Sequence, residues 1–281
     1  MNKHKRLLTL ALSAVILPGA CAAQAQQSFY ARFRTNNDAM TAVQPTWMSP
    51  LIQCDSRLTQ SVRLSFASSY TSTGTQTVNY GNGHTFGVIA GNRFQFNFMA
   101  PPYIQNNSAT AQDGFGDIQV EGKFRIASGN AQHGNYALTA LLAYSAPTGS
   151  HQNGALTSVY WPTLATGRVW GRFNVQSTLG GQLPAGKIAA QGRQIQWNVT
   201  PQWHATAHLW LDIEDNAIYN YGGPFDRRTT NYMTPAVYYV VRRKDWKPTH
   251  AFLVFDSGMQ IATSAFYPCN HILITEMRIA F

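Results

Sequence analysis

The 281-residue chain lacks a segment that could cross a membrane as a helix. Its longest apolar run, residues 7–17, is shorter than the ~20 residues that a helical span needs. Zinc-ligand spacings, phosphate-binding glycine loops and nucleotide fingerprints are also absent. These absences exclude a helical membrane protein and lead us to expect no cofactor, no metal site and no catalytic residues.

Acidic residues and cysteines are both few. Twelve acidic residues face 21 basic ones, and this balance gives a net charge of +9. A basic chain can bind nucleic acid, but these arginines are spread along strands instead of clustering with aromatics, so we expect no nucleic-acid partner. Cys54 and Cys269 could form a disulfide in an oxidising compartment. Our strand assignment places them at opposite ends of the fold, and two independent thiols are at least as compatible with it.

The first 25 residues have the features of a signal peptide. Lys3, Lys5 and Arg6 precede the apolar run, and Ala23-Gln24-Ala25 fits a cleavage site. A buried N-terminal helix explains these features less well. Lipid attachment at Cys21 is a weaker alternative, because the proline three residues earlier fits such a signal poorly. We therefore expect an exported chain.

Strict alternation of apolar and polar residues marks the stretch 113–149. Side chains along a strand point to opposite faces in turn. One face carries apolar residues and glycine, and the other carries mostly charge: Ile118, Val120, Gly122, Phe124 and Ile126 oppose Asp117, Gln119, Glu121, Lys123 and Arg125. Such a strand suits a soluble sandwich, with the polar face in water, or a membrane barrel, with the polar face lining a lumen.

The rest of the chain favours the barrel. Residues 59–281 read as about twelve strands whose connections alternate between long and short, as in bacterial outer-membrane barrels. Among these, we predict turns at Thr166-Gly167 and Thr200-Pro201 and long loops at 214–231 and 256–270. Unpaired backbone groups are costly in lipid, so the sheet must close. The predicted fold class is all-β, an antiparallel transmembrane β-barrel. Residues 26–58 are predicted to be irregular, either as a periplasmic lead-in or as a plug.

The last residue, Phe281, ends a strand with apolar residues on one face and Glu276 and Arg278 on the other. A terminal phenylalanine resembles the signal by which outer-membrane barrels of Gram-negative bacteria are recognised for insertion. The alternative is a purely structural role, in which Phe281 is a buried aromatic residue at the end of a soluble sheet. We predict the outer membrane as the location, with outer-membrane lipid and the barrel-insertion machinery as partners.

Polar residues of the predicted inner face are our candidate lumen-lining set. They include His204 and His208, which could form a metal pair but more plausibly are satisfied polar groups. Charges such as Glu121 could select solutes or fill a narrow barrel as an ion-pair network. The set comprises Arg63, Asp117, Gln119, Glu121, Lys123, Arg125, Arg172, His204, His208, Asp212, Glu276 and Arg278.

Several motifs resemble a known family. Gly114-Phe115-Gly116-Asp117, Glu121-Gly122-Lys123-Phe124-Arg125 and Ala146-Pro147-Thr148-Gly149 are similar to a pattern of the outer-membrane transporter family of the MetA pathway of phenol degradation. Val199-Thr200-Pro201-Gln202-Trp203 resembles its late turn. Members more often carry leucine where this chain has Ala146. The resemblance is sharp over 113–149 and weak before residue 59, and it implies a barrel without catalytic residues.

The expected function is a channel or transporter for small solutes. The resemblance implies apolar or aromatic solutes, and the arginines assigned to the inner face favour anionic ones. The alternatives are a closed structural barrel and an outer-membrane lipid-modifying enzyme. The enzyme needs a serine nucleophile beside a histidine base, and no serine near His204 or His208 completes such a pair in the sequence.

Overall fold

A computed structural model describes residues 28–81, 83–241 and 251–281. The proposed signal peptide, residues 1–25, lies outside these described residues, and so do residues 242–249, where the sequence predicts a basic connection between two strands. Within them are two helices and fifteen strand segments: α1 Phe29–Thr41, β1 Ser61–Tyr70, β2 Gln76–Tyr80, β3 Thr85–Ala90, β4 Phe94–Met99, β5 Tyr103–Asn106, β6 Gly114–Phe115, β7 Ile118–Gly129, β8 Tyr136–Ala146, β9 Val159–Trp170, β10 Phe173–Pro184, α2 Ile188–Gln191, β11 Arg193–His204, β12 Leu209–Tyr221, β13 Thr229–Val241, β14 Phe252–Ala262 and β15 His271–Ala280.

The strands form one closed antiparallel barrel, which confirms the predicted fold class. From β7 to β15 each strand pairs with the next one in sequence, and β15 closes the sheet by pairing with β1, from Ser61 opposite Ala280 to Tyr70 opposite His271. Three barrel strands are each interrupted once and therefore consist of two segments: β2 with β3, β4 with β5, and β6 with β7. For example, β1 pairs with β2 at one end and with β3 at the other. In the same way, β7 pairs with β4 and β6 with β5. Counting each interrupted strand once gives twelve.

The outer surface of the barrel is apolar. Val120 is 47% exposed and its outward neighbours on β7, Phe124 and Ile126, are exposed too, whereas Lys123 on the other face is buried. Large apolar side chains are normally buried in a water-soluble protein, so this surface suits hydrocarbon. The same outward pattern recurs around the barrel, at Leu64, Phe86, Phe96, Leu142, Leu164, Leu179, Trp197, Ile213, Val237, Phe255 and Leu273.

Aromatic residues concentrate near both rims of this apolar surface. At the end where β15 finishes, Phe173 and Trp203 stack with ring centroids 6.2 Å apart. At the opposite end, Tyr103 packs edge-on against Phe115, with centroids 5.4 Å apart. We call these ends the terminal end and the loop end. Two aromatic girdles are typical of the interfaces of a membrane barrel.

Four predicted connections are wrong, because each begins too early in the chain. Strand β9 runs through Gly167 to Trp170, and β11 runs through Pro201 to His204. The ladder to β12 skips Thr200 and Pro201, the second of which has no N–H to donate, and resumes at Gln202. Strands β12 and β14 likewise extend into the predicted loops at 214–231 and 256–270, where they end at Tyr221 and Ala262.

The segment predicted to be irregular contains a helix. Helix α1 begins after Ser28, whose hydroxyl accepts a hydrogen bond from the Ala31 N–H. It lies at the terminal end, where Met40 packs against Leu58 and Ile89. Residues 42–60 then enter the barrel and return to β1. We call this segment the plug, because its side chains contact the inner wall on several strands, as described next.

Candidate functional site: the barrel lumen

The plug packs into places that glycine leaves open on the wall. A Cβ on Gly167 would lie 2.8 Å from the Trp47 ring, and one on Gly258 would lie 2.8 Å from Leu51 Cδ2. Trp47 is fully buried, in a cluster that also contains Leu51 and Tyr238. Any larger residue at either glycine would overlap the plug. The wall and the plug are therefore complementary in shape.

Charged wall residues hold the plug by its backbone. The Glu214 carboxylate accepts hydrogen bonds from the consecutive N–H groups of Leu51, Ile52 and Gln53. Arg278 donates to the carbonyls of Ser49 and Pro50, at 2.6 and 3.3 Å. Both wall side chains are buried. Hydrogen bonds to charged groups contribute more than neutral ones, so these two residues are strong anchors.

A second group of contacts fixes the plug where it turns back. Lys123 Nζ donates to the carbonyls of Asp55 and Arg57, at 2.6 and 2.8 Å. The Asp55 carboxylate pairs with Arg57 at 2.7 Å and accepts from Trp47 Nε1. Burial opposes ionisation of Asp55, but Arg57 and Lys123 hold the pKa of its carboxyl well below the usual value. Asp55 is therefore charged at neutral pH and ties the two arms of the plug together.

Three predicted lumen residues form one ion-pair network. Arg63 on β1 pairs with Glu276 on β15 and donates to the Leu51 carbonyl at 2.6 Å. Arg278 pairs with Glu276 at 3.0 Å and with Asp256 at 2.6 Å. The closing pair of strands thus contributes charge to the interior, and that charge is engaged with the plug.

The predicted residues on β7, and Asp117 just before it, have different roles. Asp117 accepts from the backbone N–H groups of Gly149 and Ala155 and so fixes the loop after β8. Gln119 and Glu121 face interior cavities. Arg125 donates to the Asn92 carbonyl and contacts Met40 at the terminal end. In the described part of the chain, the charged members of this set form no ion pair with one another.

Arg172, His204 and His208 lie at the terminal end. Arg172 is exposed in the turn between β9 and β10, because β10 begins one residue later, so its assignment to the lumen wall is wrong. His204 stacks on Trp210, with ring centroids 3.9 Å apart. His208 Nδ1 is 2.8 Å from the Val240 carbonyl oxygen, in the turn that follows β11. These contacts occupy both imidazoles.

Asp212 is buried on β12, where its carboxylate accepts from the Gln202 amide at 3.2 Å. Gln202 in turn accepts from the Met48 N–H of the plug. Within the described ranges, no cluster of three or more His, Cys, Asp or Glu side chains could hold a metal ion. The helices of these ranges are too short or too polar to cross a membrane.

Sequence reasoning missed two acids of the interior, Glu214 and Asp256. Both were assigned to loops, but Glu214 continues the inward alternation of Trp210 and Asp212, which was the signal available in the sequence. With them, the buried charged residues of the described ranges are six carboxylates and two cations, namely Asp55, Asp117, Asp212, Glu214, Asp256 and Glu276 with Lys123 and Arg278. Arg57 and Arg63 are partly buried and each pairs with one of these carboxylates. The described interior therefore does not have the excess of arginine over acid on which the expectation of anionic solutes rested.

Above the plug, the lumen opens into a cavity of about 1010 Å³, which we call the chamber. Its lining mixes amides and hydroxyls with apolar side chains, and its floor is formed by Leu51 and Ile52 of the plug. Described lining residues include Arg63, Ala67, Ser69, Thr77, Asn79, Met99, Ile104, Asp117, Gln119, Ser145, Trp161, Gln182, Gln260 and Ile272. The lumen is therefore open towards the loop end and filled towards the terminal end.

Comparison with known proteins identifies the fold. No family model and no curated protein matches the chain, so the likeness to the MetA-pathway family is not confirmed. The chain is similar to the crystal structure of an outer membrane channel from Pseudomonas putida F1, with TM-score 0.55 and 12% identity, covering 84% of this chain and all of that one. It is also similar to the NanC porin, with TM-score 0.50 and 9% identity, covering 79% and 98% of the two chains. The fold of this chain is that of outer-membrane barrels.

Proposed function

We propose that the protein is a channel or transporter in the outer membrane of a Gram-negative bacterium. The chamber carries this proposal, because a barrel with a purely structural role needs no cavity of about 1010 Å³ beneath its loops. The apolar outer surface, the two aromatic girdles and the predicted signal peptide support the location. The barrels that it resembles include an outer membrane channel and a porin.

The solutes are small and carry an apolar or aromatic part. Trp161, Met99 and Ile272 give such a part a surface inside the chamber, while neighbouring amides bind water or polar groups. Two of the arginines that suggested anionic solutes are engaged, Arg278 with two carboxylates and Arg63 with Glu276. In this proposal a solute enters the chamber from the loop end, and the plug must shift before it can leave at the terminal end.

Ion conductance of the purified protein in planar bilayers tests the proposal. We expect brief, infrequent openings in the native protein and frequent openings when the plug anchor is weakened by Glu214→Gln. Correctly folded protein that conducts in neither form, and that does not accelerate solute entry into liposomes, would favour a closed barrel.

A further inference from the structure

A smaller cavity of about 210 Å³ lies where the plug meets the wall of the barrel. It shares Ile52, Met99, Gln119 and Trp161 with the chamber, so the two spaces adjoin. We call it the floor pocket and define it by Cys54, Gln119, Glu121, Trp161, Thr163 and Gln196.

Glu121 is the sole charged side chain among the described residues that line the floor pocket. Its carboxylate accepts from Asn97 Nδ2 at 2.6 Å and lies 3.8 Å from Cys54 Sγ, without an ion pair in the described part of the chain. Lys123 is the next residue on the same face, but its ammonium donates to carbonyls of the plug. The pocket is thus lined by an acid that no cation neutralises at contact distance.

The other polar groups in the floor pocket are neutral; Gln196 donates to Gln194 and Asn198 to Thr178, whereas three others are available. Among the described residues, no side-chain hydrogen bond engages the Gln119 amide, the Thr163 hydroxyl or the Trp161 indole N–H. Trp161, Met99 and Ala143 provide apolar surface beside them. A cation near an indole face is attracted to the ring, and a carboxylate attracts it further.

We propose that the floor pocket binds small organic cations, in which an ammonium group meets Glu121 and an apolar or aromatic group lies against Trp161. This proposal deepens the proposed function by naming a solute class. A bare metal ion suits the pocket poorly, because a single carboxylate offers too few of the oxygen ligands that such ions need.

Alkylation of Cys54 reports occupancy of the pocket directly. Cys54 is exposed to the cavity and has no disulfide partner. In a Cys21→Ser/Cys269→Ser chain it is the one remaining thiol. The rate of labelling by N-ethylmaleimide is measured on the full-length folded protein with benzylammonium, benzamide or benzoate, which share a ring and differ in charge. A bound ligand beside the thiol blocks the reagent, whether or not the protein conducts.

We expect benzylammonium, at about ten times its Kd, to slow labelling about tenfold. Benzamide should protect less at the same concentration, and benzoate least, because it places a second carboxylate beside Glu121. The order should disappear in Glu121→Gln and persist in Asp215→Asn, a matched loss of an acid whose side chain bonds Asn231 instead of facing the pocket. Equal protection by all three compounds, stronger protection by benzoate, or an unchanged order in Glu121→Gln would overturn the proposal.

Each variant is compared with its own unliganded rate. The thiol of Cys54 is accessible from the floor pocket but lies inside the barrel, away from bulk water. This desolvation and the neighbouring Glu121 raise the pKa of the Cys54 thiol to about 12, so Glu121→Gln should itself quicken labelling. If labelling of the native thiol is too slow to follow, isothermal titration calorimetry with the same three compounds decides the question by the same order of affinities. Binding in this order without conductance would support the floor pocket as a cation site and refute the channel. Conductance without this order of binding would support the channel and refute the cation site.

Discussion

Weakening the Glu214 anchor should release the plug. In Glu214→Gln the side chain keeps one oxygen that can accept from the plug but loses its charge and its second acceptor. The native carboxylate receives the Ile52 and Gln53 N–H groups at 3.1 and 3.2 Å, besides that of Leu51. Hydrogen bonds to a charged group contribute about 1.5–3 kcal/mol. A loss of that size raises the released fraction of the plug about 10- to 150-fold.

Tryptic cleavage after Arg57 measures the released fraction. Arg57 is half-buried in the lumen and paired with Asp55 while the plug is seated, so a protease reaches it after release. The cleavage rate should rise by the same 10- to 150-fold in Glu214→Gln, and the open probability in planar bilayers should rise with it. Asp215→Asn, on the other face of the same strand, should leave both unchanged. An unchanged cleavage rate in Glu214→Gln, with the barrel intact, would refute the anchoring role.

Three further outcomes follow from the geometry. Gly258→Ala should lower the thermal unfolding temperature and also loosen the plug, because its Cβ would press on Leu51 of the plug as well as on Ala236 and Pro235 of the wall, and overpacking costs about 1–3 kcal/mol. Val120→Arg should destabilise the barrel by about 2–4 kcal/mol in a denaturant titration in lipid, whereas Gln119→Arg, facing the lumen, should cost much less. Deletion of Phe281 should reduce the yield of heat-modifiable, membrane-assembled protein if this residue carries the insertion signal.

Each of these three predictions has a control variant or an outcome that would contradict it. Gly122→Ala places its Cβ where no atom lies within 4 Å and should leave the plug seated, in contrast to Gly258→Ala. Equal costs for the two arginine variants would mean that the faces of β7 are misassigned. Phe281 also donates its N–H to the Gln60 carbonyl and packs edge-on against Phe33, 5.4 Å between centroids. A deletion that assembles normally but cleaves faster after Arg57 would assign Phe281 to the seating of α1.

The barrel was predictable because the alternation of apolar and polar residues is a local signal that recurs in every strand. Each strand of a membrane barrel must present an apolar face to hydrocarbon, so the period of two persists around the sheet. That pattern placed β7 and its faces correctly. Turn placement was harder: glycine at 167 and proline at 201 usually mark turns, but here glycine makes room for Trp47 and proline occupies a gap in the ladder.

The site was predictable only in part, because its polar residues are satisfied by the plug. Long-range contacts such as that of Glu214 with Leu51, 163 residues apart, leave no local trace in the sequence. For the same reason the choice between a lead-in and a plug stayed open, and the buried acids Glu214 and Asp256 were assigned to loops. The arginines were visible in the sequence, but their ion-pair partners on other strands were not.

The central claim is that solutes pass through this barrel when the plug moves. Cross-linking the plug to the wall tests it most directly, since Cys54 lies beside Glu121 and Glu121→Cys supplies a second thiol. In a Cys21→Ser/Cys269→Ser background, conductance of Glu121→Cys is recorded before and after treatment with a short bifunctional maleimide. The account predicts that cross-linking abolishes the openings, while the parent chain with Cys54 alone keeps them. Unchanged conductance of the fully cross-linked protein would contradict it.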